Sequence, residues 1–157
     1  MSERILNFND FEALAAQILQ AGNILRFVAN GNSMRPFILD GEIVEIEPAR
    51  PGQLKRGDVV LCRLEQDWLV LHRIVGLKGD AGKQKLVIQG DAMPLPDGAI
   101  TPEQVLGRVA AVYRGERRRR VDEHFLFFLA MIWMEAAPLR PILIDLWHGL
   151  RGNRKRG

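Results

Sequence analysis

Asp58-Val59-Val60-Leu61-Cys62-Arg63-Leu64 and, after a short polar break, Trp68-Leu69-Val70-Leu71-His72-Arg73-Ile74-Val75-Gly76-Leu77 decide the architecture. Both runs are short and rich in β-branched and aliphatic side chains, which suit a pleated, half-buried surface. Working outward, Glu42 to Glu47, Lys85 to Gln89 and Val105 to Tyr113 read the same way, and an alternating segment opens at Ile24. Asp40-Gly41, Arg56-Gly57-Asp58, Lys78 to Gly82 and Pro94 to Gly98 supply turn chemistry between them. Glycine enters left-handed backbone freely and Asp or Pro favours the bend. Closely spaced strands with no helical period between them predict a mainly β fold, an antiparallel β domain over residues 24–114.

Two helical flanks are expected. Asn9-Asp10 can cap a helix carrying Phe11, Leu14, Ala15, Ile18 and Leu19 on one face and ending at Gly22 or Asn23, so residues 1–23 read as an N-terminal helix. One helix of that size does not make a helix-turn-helix, which needs two. After Arg117-Arg118-Arg119-Arg120 the pattern turns helical again: Val121 to Ala136 and, beyond Pro138 and Pro141, Ile142 to Leu150. Residues 115–157 therefore read as a basic linker and a C-terminal helical appendage.

Composition excludes several classes. With 157 residues, 47% hydrophobic and 26% charged, the chain is a folded domain rather than a disordered one. Its one cysteine, Cys62, sits in an apolar run and reads as a buried structural thiol, and no Cys/His cluster points to a metal. No cofactor is expected. Met1 to Asp10 lacks the apolar core of a secretory signal, and the longest apolar run, Phe125 to Met134, is too short for a bilayer of ~30 Å. The expected location is cytoplasmic, with the membrane surface as a peripheral alternative. Residues 1–113 carry a net charge of −2 and residues 114–157 carry +5, so the basic character belongs to the tail and argues against nucleic acid as a partner of the core.

Three chemistry-bearing groups stand at strand edges: Ser33 in a Gly-Asn-Ser turn, His72 within a strand, and Gly90-Asp91 with Asp97 beyond. A hydroxyl, a base of near-neutral pKa and a carboxylate are what a serine nucleophile requires: one attacks, one takes the proton, one orients the base. Each residue alone has a bland reading, as a turn serine, a strand histidine or a Gly-Asp turn. Their order and surroundings carry the argument. Gly31-Asn32-Ser33-Met34-Arg35-Pro36 resembles the Gly-x-Ser-Met-x-Pro nucleophile box of the signal peptidase I family. Asp40-Gly41 and Arg56-Gly57-Asp58-Val59-Val60 resemble the turn and strand after it. His72-Arg73-Ile74-Val75 is similar to the His-Arg-Ile box of the branch, found in archaea and the endoplasmic reticulum, that uses histidine in place of lysine. Gln89-Gly90-Asp91-Ala92, with Asp97 beyond it, resembles the Gly-Asp-Asn box, and Leu106-Gly107-Arg108-Val109 the closing strand. The resemblance spans residues 26 to 112.

What the resemblance implies is a signal peptidase/LexA-like β core and a serine endopeptidase acting on a signal, leader or precursor peptide with small residues beside the scissile bond. Ser33 would be the nucleophile, His72 the general base, Asp97 its orienting acid and Asp91 a second supporting acid. An ordinary histidine pKa of ~6.5 suits proton transfer near neutrality. The oxyanion would meet the Ser33 N–H, with Asn32 beside it, while Met34 borders the site and packs the turn. Strand alternation turns Arg73 away from His72, so no catalytic role is expected of it. Ala92 replaces the usual Asn, Pro94 and Pro96 stiffen the approach to Asp97, and the family's N-terminal membrane anchor is not found.

Two other readings compete. A LexA-like self-cleaving regulator shares the fold but uses lysine where His72 stands. A catalytically silent peptide-binding module would keep the cleft alone. For the C-terminal helices, packing on the core or in a homodimer, an interfacial helix against anionic lipid and a nucleic-acid tail stay open.

Overall fold

A computed structural model describes residues 8–64, 68–80, 83–121, 129, 131–133, 135 and 136. One helix, α1 (Phe8–Gln20), precedes a single antiparallel sheet of eight strands. These are β1 (Leu25–Val28), β2 (Ile43–Pro48), β3 (Val59–Arg63), β4 (Leu69–Lys78), β5 (Lys85–Gln89), β6 (Gly98–Ile100), β7 (Val105–Arg114) and β8 (Arg117–Arg120). Their spatial order is β1-β2-β7-β3-β4-β5-β6, with β8 paired to β7. The mainly β expectation is met, and each strand read from the sequence is present.

Three local readings are corrected. The helix starts at Phe8, so Asn9 and Asp10 lie inside its first turn and do not cap it. Its end follows expectation: Asn23 N–H reaches Ile18 O, Gly22 N–H reaches Leu19 O, and Gly22 has φ +82°. That is a Schellman ending, which satisfies carbonyls the helix leaves open. Second, Gly98–Ile100 forms β6, although three residues after two prolines show no periodicity. Third, Arg117–Arg120, read as a basic linker, is β8 and hairpins back onto β7 through Gly115. A run of arginines hides its strand character because neighbours elsewhere in the sheet neutralise it. Of the C-terminal helix read over Val121 to Ala136, Leu129, Met131 to Trp133 and Glu135 are described and helical; Ile142 to Leu150 lies outside the described residues.

The sheet buries two apolar clusters. On one side α1 lays Ala15 and Leu19 against Val44, Ile46, Val59, Leu61 and Val109. On the other, Val60, Cys62, Ile74, Leu86, Ile88 and Ile100 pack together. Alternation along β3 feeds both, since Val59 and Leu61 enter the first cluster and Val60 and Cys62 the second. Where α1 crosses β7, Gly107 is required by space: a methyl there would stand 2.5 Å from Ile46 Cγ2 and 2.7 Å from Glu47 O. Among the described residues no helix is long and apolar enough to cross a membrane.

Candidate active site

Ser33 sits in the loop that joins β1 to β2, and that loop is closed at its neck. Ala29 N–H bonds Glu42 O at 2.8 Å, Gly41 N–H bonds Ala29 O at 2.9 Å, and Gly31 N–H donates to Asp40 Oδ1 at 2.7 Å. Gly31 has φ +99°, backbone that a side chain resists, so glycine at this position is a geometric need of the turn. Inside the loop, Phe37 and Ile38 N–H both donate to Met34 O, and the Met34 and Ile38 side chains sink into the first core cluster. Ser33 is left half-buried and Asn32 exposed. Met34 is buried in the first core cluster and also lines the groove beside Ser33.

His72 comes from the centre of β4, opposite Val60 of β3, and is 7% exposed. Its Nδ1 lies 2.9 Å from Asp97 Oδ2. The two atoms are in close contact without the alignment of a hydrogen bond, and no other described group serves Nδ1. Asp97 reaches this position because Asp97 N–H bonds Ile88 O at 2.8 Å while Gln89 Nε2 donates to Met93 O at 2.7 Å. Those two bonds fold the double-proline segment back along β5.

Gly90 joins the serine loop to the histidine strand. A methyl on its Cα would stand 2.8 Å from Ser33 O and 3.1 Å from His72 Nε2, so both residues border one point. Ala92 N–H also donates to Ser33 O, at 2.8 Å. Ser33 and His72 then share a groove of about 220 Å³ with Phe11, Phe27, Ala29 and Leu71. Asp97 stands behind the imidazole, on its Nδ1 side.

Asp91 does not join His72. Its carboxylate is gripped by Arg73, Nε to Oδ1 at 2.8 Å and Nη2 to Oδ2 at 2.7 Å, and both residues are 2% exposed. Arg73 turns away from the imidazole as alternation requires, yet it is central: Nη1 donates to Gly57 O at 2.8 Å, and its guanidinium lies 5.1 Å from the Phe37 ring. One side chain thus ties the serine loop, the turn before β3 and the Gly90-Asp91 turn together. Sequence reasoning gave Arg73 no part. The available signal was an arginine inside an apolar strand, which demands a buried carboxylate. On the far side, Trp133 Nε1 donates to Asp91 O at 2.7 Å and Arg56, in the turn before β3, pairs with Glu135, so the C-terminal helical residues rest against both turns.

Two titratable groups are displaced near the site. Burial pushes the Cys62 thiol up to about 12, with the Asp97 charge adding to it, which leaves an inert thiol as expected. Burial also raises Asp58, against the Lys55 N–H and the Arg108 and Lys55 charges. Among the described residues no group of three or more His, Cys, Asp or Glu side chains is placed to hold a metal ion.

A β sheet that presents a serine loop to a buried histidine across a small groove is a peptidase-like arrangement, and comparison with known families gives it a place. The family model described as signal peptidase, peptidase S26 matches residues 11–130, well over half of the chain, and the chain belongs to that family. No curated protein matches the chain.

Proposed function

We propose that the protein is a serine endopeptidase that cleaves a signal, leader or precursor peptide with Ser33 as nucleophile, His72 as general base and Asp97 as the acid that orients it. The observation that carries this reading is the convergence at Gly90, where Ser33 O and His72 Nε2 border a single point while Asp97 Oδ2 approaches Nδ1 at 2.9 Å. Family membership supplies the peptide as substrate class.

In the proposed reaction Ser33 Oγ attacks the scissile carbonyl carbon as His72 Nε2 takes its proton. The imidazolium so formed is stabilised by Asp97 at Nδ1. The carbonyl oxygen becomes an oxyanion, for which the Ser33 N–H is the candidate donor because no described protein group accepts from it. Asn32, exposed beside it, is a second candidate. Collapse breaks the C–N bond, and the amine leaves with the proton from His72. Water, deprotonated by the same imidazole, then hydrolyses the acyl-serine. Asp91 acts through structure: engaged by Arg73, it holds the turn that carries Gly90.

The test is labelling with a serine-reactive fluorophosphonate on wild type, Ser33→Ala, His72→Ala and Asp97→Ala, with the adduct mapped by mass spectrometry. Adduct at Ser33 that is lost without His72 and strongly reduced without Asp97 is expected. A folded wild type that takes no label would sink the enzyme reading and favour the silent peptide-binding module.

A further inference from the structure

Gly90 to Met93 forms a β-turn, closed by Met93 N–H on Gly90 O at 3.0 Å, and it lies between the serine loop and the C-terminal helical residues. Its central peptide group joins Asp91 to Ala92. Both ends of that one group are engaged: the Asp91 carbonyl accepts from Trp133 Nε1 at 2.7 Å, and the Ala92 N–H donates to Ser33 O at 2.8 Å. A trans peptide is planar and points its C=O and N–H in opposite directions, so the indole, the peptide and the serine carbonyl form one hydrogen-bonded line. Bonds in such a chain polarise and strengthen one another.

The central peptide of a β-turn is also its freest part. Rotating it interconverts turn types I and II while the residues on either side keep their places. Here those flanks are held by other bonds, since Arg73 grips the Asp91 side chain and Gln89 Nε2 donates to Met93 O. Neither bond sets the direction of the peptide between them. A rotated peptide would turn its carbonyl toward Ser33 O, and two acceptors repel. The indole N–H only donates, so it matches only the orientation in which the Ala92 N–H faces Ser33. Trp133 is itself seated on the serine loop. Leu129, one helical turn earlier and therefore on the same face, lines a cavity of about 250 Å³ with Pro36, Phe37 and Ile38, and Glu135 pairs with Arg56.

We propose that Trp133 is a positioning residue for the candidate nucleophile: through the Asp91–Ala92 peptide it fixes the Ser33 carbonyl, and with it the placement of Ser33 relative to His72. The inference rests on the reading of Ser33 as nucleophile. It goes beyond that reading by giving the C-terminal helical residues a part in aligning the site.

The test uses the full chain and two readouts. Trp133→Phe keeps an aromatic ring and removes the donor; Leu129→Ala weakens the seat of the helix without touching the bond, and serves if Trp133→Phe melts too low. Circular dichroism and thermal melting establish that each variant is folded. Amide hydrogen exchange by NMR follows the Ala92 N–H against amides within β3. Fluorophosphonate labelling of Ser33, measured across pH, is resolved into affinity for the label and limiting rate. In Trp133→Phe the Ala92 N–H is expected to exchange about 10-fold faster, as one lost hydrogen bond allows, with the β3 amides unchanged. The limiting labelling rate is expected to fall about 10-fold, a fraction of the ~100-fold that a 1 Å misplacement costs, with affinity and the pH midpoint unchanged. Leu129→Ala is expected to move both readouts in the same direction. Unchanged Ala92 exchange in folded Trp133→Phe would overturn the proposal, and so would faster exchange with an unchanged labelling rate, which is the mark of a purely structural contact. A wild type that takes no label sinks the peptidase reading, and the exchange measurement then decides by itself whether Trp133 holds the Ser33 carbonyl.

Discussion

At the scale of single residues, the candidate site depends as much on an absent side chain as on those present. Gly90 gives Ser33 O and His72 Nε2 their common neighbour, and there is no room for a methyl group, with Met93 Cγ also 2.8 Å from its position. Gly90→Ala must therefore push the serine loop away from β4. The expected outcome is a loss of fluorophosphonate labelling of about 100-fold, the penalty of an ångström-scale misplacement, measured beside the melting temperature. The Arg73–Asp91 pair calls for a different outcome. Two buried charges stabilise each other, and removing either strands its partner, at a cost of about 3–5 kcal/mol. Asp91→Ala and Arg73→Ala are each expected to lower stability in urea by that amount, whereas Arg73→Met with Asp91→Leu loses far less. A double variant as unstable as the sum of the singles would refute this coupling. Motif chemistry singled out Ser33, His72 and Asp97 in the sequence. How Asp97 is brought to the imidazole was not readable there, since that turns on how two prolines fold a loop back along β5.

Among the elements, β8 is the least expected and the most electrostatic. Its Arg118 donates to Glu45 of β2, which also accepts from Tyr113 of β7 and from Arg26 of β1. Arg118 first, then Tyr113 and Arg26, hold the Glu45 carboxyl down to about 2, against the opposing effect of burial. Glu45 is 2% exposed, its carboxylate covered by the guanidinium groups of Arg26 and Arg118, which themselves reach solvent. Its pKa is lower folded than unfolded, so its contribution is complete above the ordinary value of 4.5 and is lost as pH falls toward 2. Urea denaturation of wild type and Glu45→Gln is thus expected to show a stability gap that is constant above about pH 5 and closes progressively below it. A gap independent of pH would remove Glu45 from this role. Strand content from β1 to β5 and in β7 could be read because apolar, β-branched runs fill them. β8 is four arginines with no apolar alternation, and only its pairing with β7 and the Arg118 contact to Glu45 of β2 make sense of it.

For the whole molecule, the sheet order places the pieces of the site far apart in sequence and close in space. The serine loop leaves β1 at one end of the order, while β4 and the turn after β5 lie across β7 and β3. The fold class was legible because alternation and turns are local signals; this order was not, because β7 inserts between β2 and β3 from late in the chain. The C-terminal helical residues add a further tie through the Trp133 bond to Asp91 O. Trp133→Phe keeps the aromatic bulk and removes one donor, and the expected loss is about 1 kcal/mol in urea denaturation. No change in stability would show that this contact contributes nothing.

The insertion of β7 also bears on how the molecule comes into being. Synthesis must deliver β7 before β2 and β3 have their common neighbour, so a nascent chain ending short of Val105 holds Ser33 and His72 on pieces not yet joined. Pairings of such long sequence separation close slowly. The groove between the serine loop and β4 is therefore expected to form only after β7 has paired with β2 and β3.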